Sequence, residues 1–433
     1  MLDIKFIREN QEVVRKAIKD KGTNLEALDE VLSLDDTRRK LIIETEALRS
    51  RRNEITKNLK KGKDDSLVDE SRKIKDKLSK LELELKEVED RWLLAMYEIP
   101  NIPWKDVPVG ADETENQIVA EWGKPKKFKF KPKDHLELGE ALDVVDMKRG
   151  SKVAGSRFGY WKGGMAILEL ALIQFVLRTL TSEQTLKKIA DTVEKGYPAK
   201  PFIPIIPPVM IKSDIYRKTA RLSDADKNER YYLPDDDLYL IGSAEHTLVS
   251  MHADEALDQK NLPLRYVGIS TCFRREAGSY GKDVKGMIRL HQFDKVEMES
   301  FVTAENSFKE HQFFVAIEEY LLQVLEIPYQ KLLKCTADIG NPNARGVDLN
   351  CWLPGQALYR ETHTADMMTD YQARRLNIKI RKPDGATELL HTNDATAITM
   401  RAAIAIMENY QQADGSILVP KALQEFTGFD VIQ

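Results

Sequence analysis

Three cysteines in 433 residues, Cys272, Cys335 and Cys351, stand far apart and show no CxxC spacing. Neither a disulfide framework nor a structural zinc site is therefore expected. Long apolar runs are also missing. No stretch reaches the ~20 residues that span a bilayer, and the opening MLDIKFIREN is charged from its third residue, so neither a membrane span nor an apolar signal core is expected. A reducing, cytoplasmic setting follows as the default. Nor is there an excess of basic charge: Lys and Arg number 66 against 70 Asp and Glu, a net charge of -4. Any nucleic-acid contact must then come from local clusters. What the chain does have is length enough for two or three domains. Its 42% hydrophobic and 31% charged residues suit a globular protein carrying a long polar element.

That polar element spans residues 25–99. Leu34, Leu41, Leu48 and Ile55 recur seven apart, as do Leu67, Ile74, Leu81, Val88 and Ala95, with Leu78, Leu85 and Trp92 in a second row. Heptads with charges between them predict coiled-coil helices. KGKDD at 61–65 can turn the chain, which gives an antiparallel hairpin of two arms, each about 30 residues and roughly 45 Å long. Arg49, Arg51, Arg52, Lys57, Lys60, Lys61 and Lys63 gather toward the turn. They form either a solvated face or a finger that gains phosphate contacts by releasing counterions. Pro100, Pro103 and Pro108 then mark a linker, because proline cannot continue a helix.

Residues 273–299, FRREAGSYGKDVKGMIRLHQFDKVEME, carry the densest chemistry. Two strands joined by a Gly- and Lys-containing loop would bring Arg274 and Arg289 together. Such guanidinium forks match phosphate oxygens bidentately, as a Lys point charge cannot. Alternation predicts Arg289, His291, Phe293, Lys295 and Glu297 on one strand face, and Leu290, Gln292, Asp294 and Val296 on the other. The plain alternative is a charged hairpin on the outside of an antiparallel sheet.

Elsewhere, KPKKFKFKP at 124–132 alternates basic and aromatic residues as an exposed strand would, with nucleic-acid stacking as the other reading. Residues 164–180 are apolar at helical spacing, and 204–209 form an apolar strand interrupted by prolines. Residues 182–202 between them predict a surface helix over 183–194. Residues 238–246 read as a buried strand leading to the polar turn Ser243-Ala244-Glu245.

FRREAGSYGKD followed by GMIRLHQFDKVEM resembles motif 2 of the seryl-tRNA synthetases, members of the class II aminoacyl-tRNA synthetases. The helix and strand over 164–209 resemble motif 1, the dimer interface of that class. Residues 391–411 resemble motif 3, a strand feeding a helix. Residues 360–364 and 370–375 are similar to the family's RE-containing segment and its QARR strand. Here 182–202 is longer than the family's link, and Ser243 stands where a threonine is usual. The resemblance covers essentially the whole chain. It implies an α+β fold, with an antiparallel sheet flanked by helices and an N-terminal antiparallel coiled-coil hairpin. It also implies a tRNA-binding arm over 1–105 and a catalytic domain over 106–433.

The implied activity is ATP-dependent activation of L-serine and its transfer to tRNA(Ser), with tRNA(Sec) a further candidate, by a cytoplasmic homodimer without a membrane partner. Residue by residue, the resemblance assigns catalysis to Arg274, Arg289 and Arg401. Serine would meet Ser243, Ala244, Glu245, Arg274, Glu297, Asn393 and Thr396. ATP would meet Arg274, Arg275, Glu276, Arg289, Leu290, Phe293, Glu361, Thr362, His363, Thr364 and Arg401, with His363 structural rather than catalytic. Glu361 and Thr364 would hold Mg2+ with hard oxygens, and zinc is not expected. The seven cations of the hairpin would bind tRNA. From His391 to Arg401 the chain is one residue shorter than the commoner family form. Counting back from Arg401 therefore aligns Ala395 with the serine-binding hydroxyl residue, whereas a one-residue shift supplies Thr396, the preferred choice. A paralogue that charges a carrier protein, or a non-catalytic nucleic-acid-binding module, are the rival classes.

Overall fold

The computed structural model describes residues 1–62, 64–223, 226–277 and 286–433. They fall into two compact units, Met1–Ile102 and Pro103–Gln433.

The first unit opens with two short helices that the heptad reading did not anticipate, α1 (Ile4–Glu9) and α2 (Gln11–Asp20). Asp3 starts α1 by accepting from the backbone of Lys5 and Phe6, which satisfies donors that have no partner inside the helix. Then come α3 (Glu26–Leu59) and α4 (Asp65–Glu98), 34 residues each, or about 51 Å at 1.5 Å per residue. Asp64 caps α4. Leu34, Leu41 and Ile55 of α3 are buried, as are Ile74, Leu78 and Ala95 of α4, so the predicted rows form the seam between the two helices. Ion pairs tie the helices outside that seam: Arg38 to Glu89 at 3.2 Å, Arg49 to Glu82 at 2.8 Å and Arg51 to Glu70 at 2.8 Å. Each such exposed pair contributes about 0–1 kcal/mol, so the apolar seam dominates.

The second unit is built on an eight-stranded sheet: β1 (Gln117–Trp122), β2 (Ile203–Ile205), β3 (Leu264–Phe273), β4 (Gln292–Val302), β5 (Tyr329–Leu333), β6 (Arg345–Leu353), β7 (Leu358–Thr369) and β8 (His391–Thr399). Their order across the sheet is β1-β5-β6-β7-β8-β4-β3-β2. Every pairing is antiparallel except β2 with β3. The main core holds Val296 and Met298 of β4 with Ala365 and Ala395, together with α5 (His135–Ala141), α6 (Gly163–Leu180), α7 (Glu183–Val193), α8 (Ser307–Val324) and α10 (Met400–Tyr410). By length and composition α6 is apolar enough to cross a membrane. Its Met165, Leu168, Leu172 and Val176 lie in that core, while Ile167 and Leu170 are exposed.

Several local expectations change. The strand expected over 204–209 is the three-residue β2, an edge position where proline costs no ladder bond. α7 is amphipathic rather than purely superficial, with Leu186, Ile189 and Ala190 in the core. Residues 124–132 form no regular strand. The QARR segment is a short helix, α9 (Tyr371–Leu376), stopped by Asn377 at φ 55°. Its buried Arg375 donates to the carbonyls of Lys218 at 3.1 Å and Arg217 at 2.6 Å, which end the helix Ser213–Lys218. β4 begins only at Gln292, so Arg289 and His291 belong to the connection and not to the strand.

Candidate active site

The connection from β3 to β4, the strand β7 and the junction of β8 with α10 converge on one cavity open to solvent. Arg274, Arg289 and Arg401 all line it, with Glu276, Leu290, Phe293, Glu361, Thr362, Thr364 and Thr396. Two irregularities in the sheet make this convergence. In β7, Asn350 pairs with Glu361 and Leu349 with His363, leaving Thr362 as an extra residue. In β8, Glu297 pairs with Thr396 and Val296 with Ile398, leaving Ala397 extra. A bulge reverses side-chain parity along its strand. Glu361 and Thr364 therefore reach the same side although an odd number of steps apart, and so do Thr396 and Thr399.

The three guanidinium groups are held differently. Arg274 donates through Nε and Nη2 to the Gly242 carbonyl, at 3.2 and 3.1 Å, and lies 5.3 Å over the Phe293 ring. Arg289 donates to Glu276 at 2.8 Å, and Glu276 sits at φ 51°, in the left-handed region that non-glycine residues seldom adopt. Arg401, one residue into α10 and N-capped by Thr399, donates to the Glu361 carbonyl at 2.8 Å and carboxylate at 3.3 Å. Glu361 stays below the usual carboxylate range, because Arg401, Lys334, Arg274 and Lys295 outweigh the cost of its crowded surroundings.

Lys295, which lines the cavity, opens onto a buried charged socket. The Lys295 ammonium donates to Ser243 Oγ at 3.2 Å and pairs closely with Glu297, to which Ser243 also donates at 3.1 Å. Burial pushes Glu297 up to about 7, with Lys295 pulling it back and Glu245 adding to the rise. Beyond it, Arg221 pairs with Glu245 at 2.5 Å, Asp394 at 3.1 Å and Asp366 at 3.5 Å. Burial penalises the Glu245 charge, yet Arg221, then His246, Lys295 and Arg274, hold it down to about 2. Burial raises Asp394 and Glu299 well above the carboxylate range, with neighbouring carboxylates reinforcing the rise. His246 is driven well below its usual range by burial and is neutral at pH 7. Carboxylate oxygens of Glu245, Glu297 and Asp394 lie within 4.8 Å of one another. Arg221 and Lys295 supply the cationic charge there, and no metal is needed to balance the group.

Not every expected residue reaches these two places. Arg275 instead has its guanidinium 6.0 Å from the Tyr231 ring. His291, expected on the cleft face, braces the turn by contacting the Arg274 carbonyl at 2.9 Å and the Phe158 ring at 5.2 Å. Ala244 packs in an apolar cluster with Leu248 and Tyr266. His363 is fully buried against Thr362 Oγ1 at 2.8 Å, and burial lowers it to about 4. Asn393 shares a strand face with the core residue Ala395, while Asp394 and Thr396 take the opposite face. The Thr396 alternative is thus the one that lines the cavity. Arg221 and Asp394 carried no sequence signal, since one lies in an irregular loop and the other beside an expected asparagine. Lys295 had a place on the predicted face but no role. Of the hairpin cations, Arg49, Arg51, Arg52, Lys57, Lys60 and Lys61 are exposed, and Lys63 lies outside the described residues.

Residues 1–103 match the seryl-tRNA synthetase N-terminal domain, and residues 230–410 match the tRNA synthetase class II core domain (G, H, P, S and T). The chain is 39% identical to the Serine--tRNA ligase of Thermodesulfovibrio yellowstonii, with 100% of each covered. It is 41% identical to that of Pyrococcus horikoshii, covering 100% of this chain and 97% of the relative. Among solved structures, seryl-tRNA synthetase from Pyrococcus horikoshii complexed with ATP superposes with a TM-score of 0.89 at 39% identity, over 100% of this chain and 99% of that one. The cytoplasmic serine-tRNA ligase from Naegleria fowleri in complex with AMP gives 0.84 at 28% identity, with the same coverage.

Proposed function

The chain belongs to the seryl-tRNA synthetases, and from that membership we propose how its residues divide the work. The enzyme activates serine with ATP and joins it to tRNA. In the first step the serine carboxylate attacks the α-phosphorus of ATP and pyrophosphate leaves. In the second, the 3′-terminal ribose hydroxyl of the tRNA attacks the seryl-adenylate and AMP leaves. Neither step needs a protein nucleophile, so catalysis rests on positioning and on charge stabilisation at the transferring phosphoryl group.

One observation carries the assignment: three guanidinium groups, from Arg274, Arg289 and Arg401, surround a single cavity backed by the Ser243–Lys295–Glu297 socket. Arg274 bridges the α-phosphate and the serine carboxylate, while Arg289 and Arg401 take the β- and γ-phosphates. Phe293 stacks on adenine beneath Arg274, and Glu276 orients Arg289 and the base. Glu297 receives the serine ammonium, and Thr396 faces the serine hydroxyl. A site built to hydrogen-bond that hydroxyl rejects alanine, which leaves the site's polar groups unpaired. Mg2+ brought with ATP fits Glu361 and Thr364, whose hard oxygens line the same cavity, and would neutralise phosphate charge.

The first unit serves as the tRNA-binding arm through its exposed cations, and tRNA(Sec) is a second proposed substrate. The exposed apolar residues Ile167 and Leu170 of α6, with Ile203 and Ile206, supply a face for homodimerisation. A cytoplasmic location follows from the same reading. Serine-dependent exchange of pyrophosphate into ATP, followed by charging of tRNA(Ser) and tRNA(Sec), tests the proposal. Exchange without charging of either tRNA would point to a carrier-charging paralogue, and absence of exchange would overturn the catalytic assignment.

A further inference from the structure

We propose that residues 124–133 form a second RNA-binding surface, a lysine strap that grips the phosphate backbone at the acceptor end of the tRNA. The inference rests on the tRNA-charging reading above and adds a contact on the catalytic unit, separate from the N-terminal hairpin.

The ten residues KPKKFKFKPK hold six lysines, two phenylalanines, two prolines and no acid, in a chain whose net charge is negative. Lys124, Lys126, Lys127, Lys129, Lys131 and Lys133 are all exposed. Among the described residues none of them makes an ion pair, whereas Arg49 and Arg51 of the hairpin are each matched by glutamates. Six like charges held close together without compensation repel one another, and a polyanion relieves that repulsion while releasing its own counterions.

The strap is irregular but not adrift. Phe128 and Phe130 are half-buried, their rings 5.1 Å apart, and Lys126 lies 5.2 Å over Phe128. At its end the Lys133 backbone donates to Gln411 at 2.8 Å and accepts from it at 2.9 Å. Two residues on, His135 is held by Glu408 and accepts from the Met287 backbone at 3.1 Å. Met287 precedes Ile288, which lines the cavity. Lys133, the last of the six, therefore lies two residues from a histidine whose backbone partner adjoins the cavity lining, on the side where the 3′ end of the RNA has to arrive. Phosphate contacts position RNA without reading its bases, which suits a strap of flexible ammonium groups.

Two full-length variants test this, one with all six lysines changed to Gln and one with all six changed to Arg. Affinity for tRNA(Ser), and for an acceptor-stem minihelix lacking the variable arm, is measured from 50 to 200 mM KCl beside pyrophosphate exchange. Loss of about three phosphate contacts, at about 0.8 each in the salt slope, would leave the Gln variant losing roughly thirtyfold less affinity than the native protein over that fourfold salt range. The expected result is weaker binding of both RNAs at 50 mM KCl with a shallower slope, unchanged exchange, and near-native binding by the Arg variant. An unchanged slope in the Gln variant, an equal loss in the Arg variant, or a loss for tRNA but not for the minihelix would each overturn the strap. Native protein that exchanges pyrophosphate but charges no tRNA would instead overturn the tRNA reading itself.

Discussion

Arg221 is the residue whose removal the charge balance of the socket predicts most sharply. Its guanidinium faces Glu245, Asp394 and Asp366 and also donates to Asn343 at 3.3 Å. In Arg221→Met the carboxylates remain while the cation goes, and breaking a buried ion pair in this way costs about 3–5 kcal/mol. Glu245 is held from 4.5 down to about 2 against its own burial, by Arg221 first and then by His246, Lys295 and Arg274, a combined effect of about 3.5 kcal/mol at about 1.4 kcal/mol per pH unit, of which Arg221 supplies the largest share. In the native protein the depressed value stabilises the fold above pH 4.5 and the benefit fades as pH falls toward 2. In the variant burial prevails and the Glu245 value rises above 4.5, so its folded state loses stability as pH climbs. The variant should therefore fall short of native stability by about 3 kcal/mol or more at pH 8, and by less at pH 5. Urea unfolding followed by the fluorescence of Trp104, Trp122, Trp161 and Trp352 measures both gaps. A deficit under about 1 kcal/mol at pH 8, or one that grows on acidification, would refute the reasoning.

Three further outcomes are expected. Because Glu297 is raised to about 7 and must be ionised to receive an ammonium, kcat/KM for serine should fall about tenfold per pH unit below 7. Glu297→Gln should be weak and flat over the same range, and a native profile flat from pH 6 to 8 would contradict this. Arg401→Ala should lower pyrophosphate exchange by about 10²-fold or more, the scale of losing one charge-stabilising donor, with the unfolding midpoint nearly unchanged. Near-normal exchange would remove the phosphate role. Deleting residues 47–81, the distal hairpin, should leave exchange within about twofold while charging of tRNA(Ser) drops by about 10²-fold or more, and unchanged charging would defeat the hairpin's role in RNA binding.

The sequence alone determined the elements whose signal is periodic or local. Heptads specify α3 and α4 because a coiled-coil seam needs apolar residues at that repeat and little else, and the prolines near 100–108 place the break after it. The motifs around Arg274 and Arg401 were legible as blocks of residue types. Tertiary structure decided what those blocks face. One extra residue at Thr362 and another at Ala397 reverse strand parity, so Thr396 rather than Ala395 or Asn393 turns to the cleft. A simple alternation rule has no means to anticipate a bulge, which depends on the partner strand. Likewise Arg221, from an irregular loop, and Lys295, from a central strand, meet the acidic residues Glu245, Glu297 and Asp394 only once four distant segments have packed together. Charge pairing inside a fold is set by distance in space, and a linear chain does not display that distance.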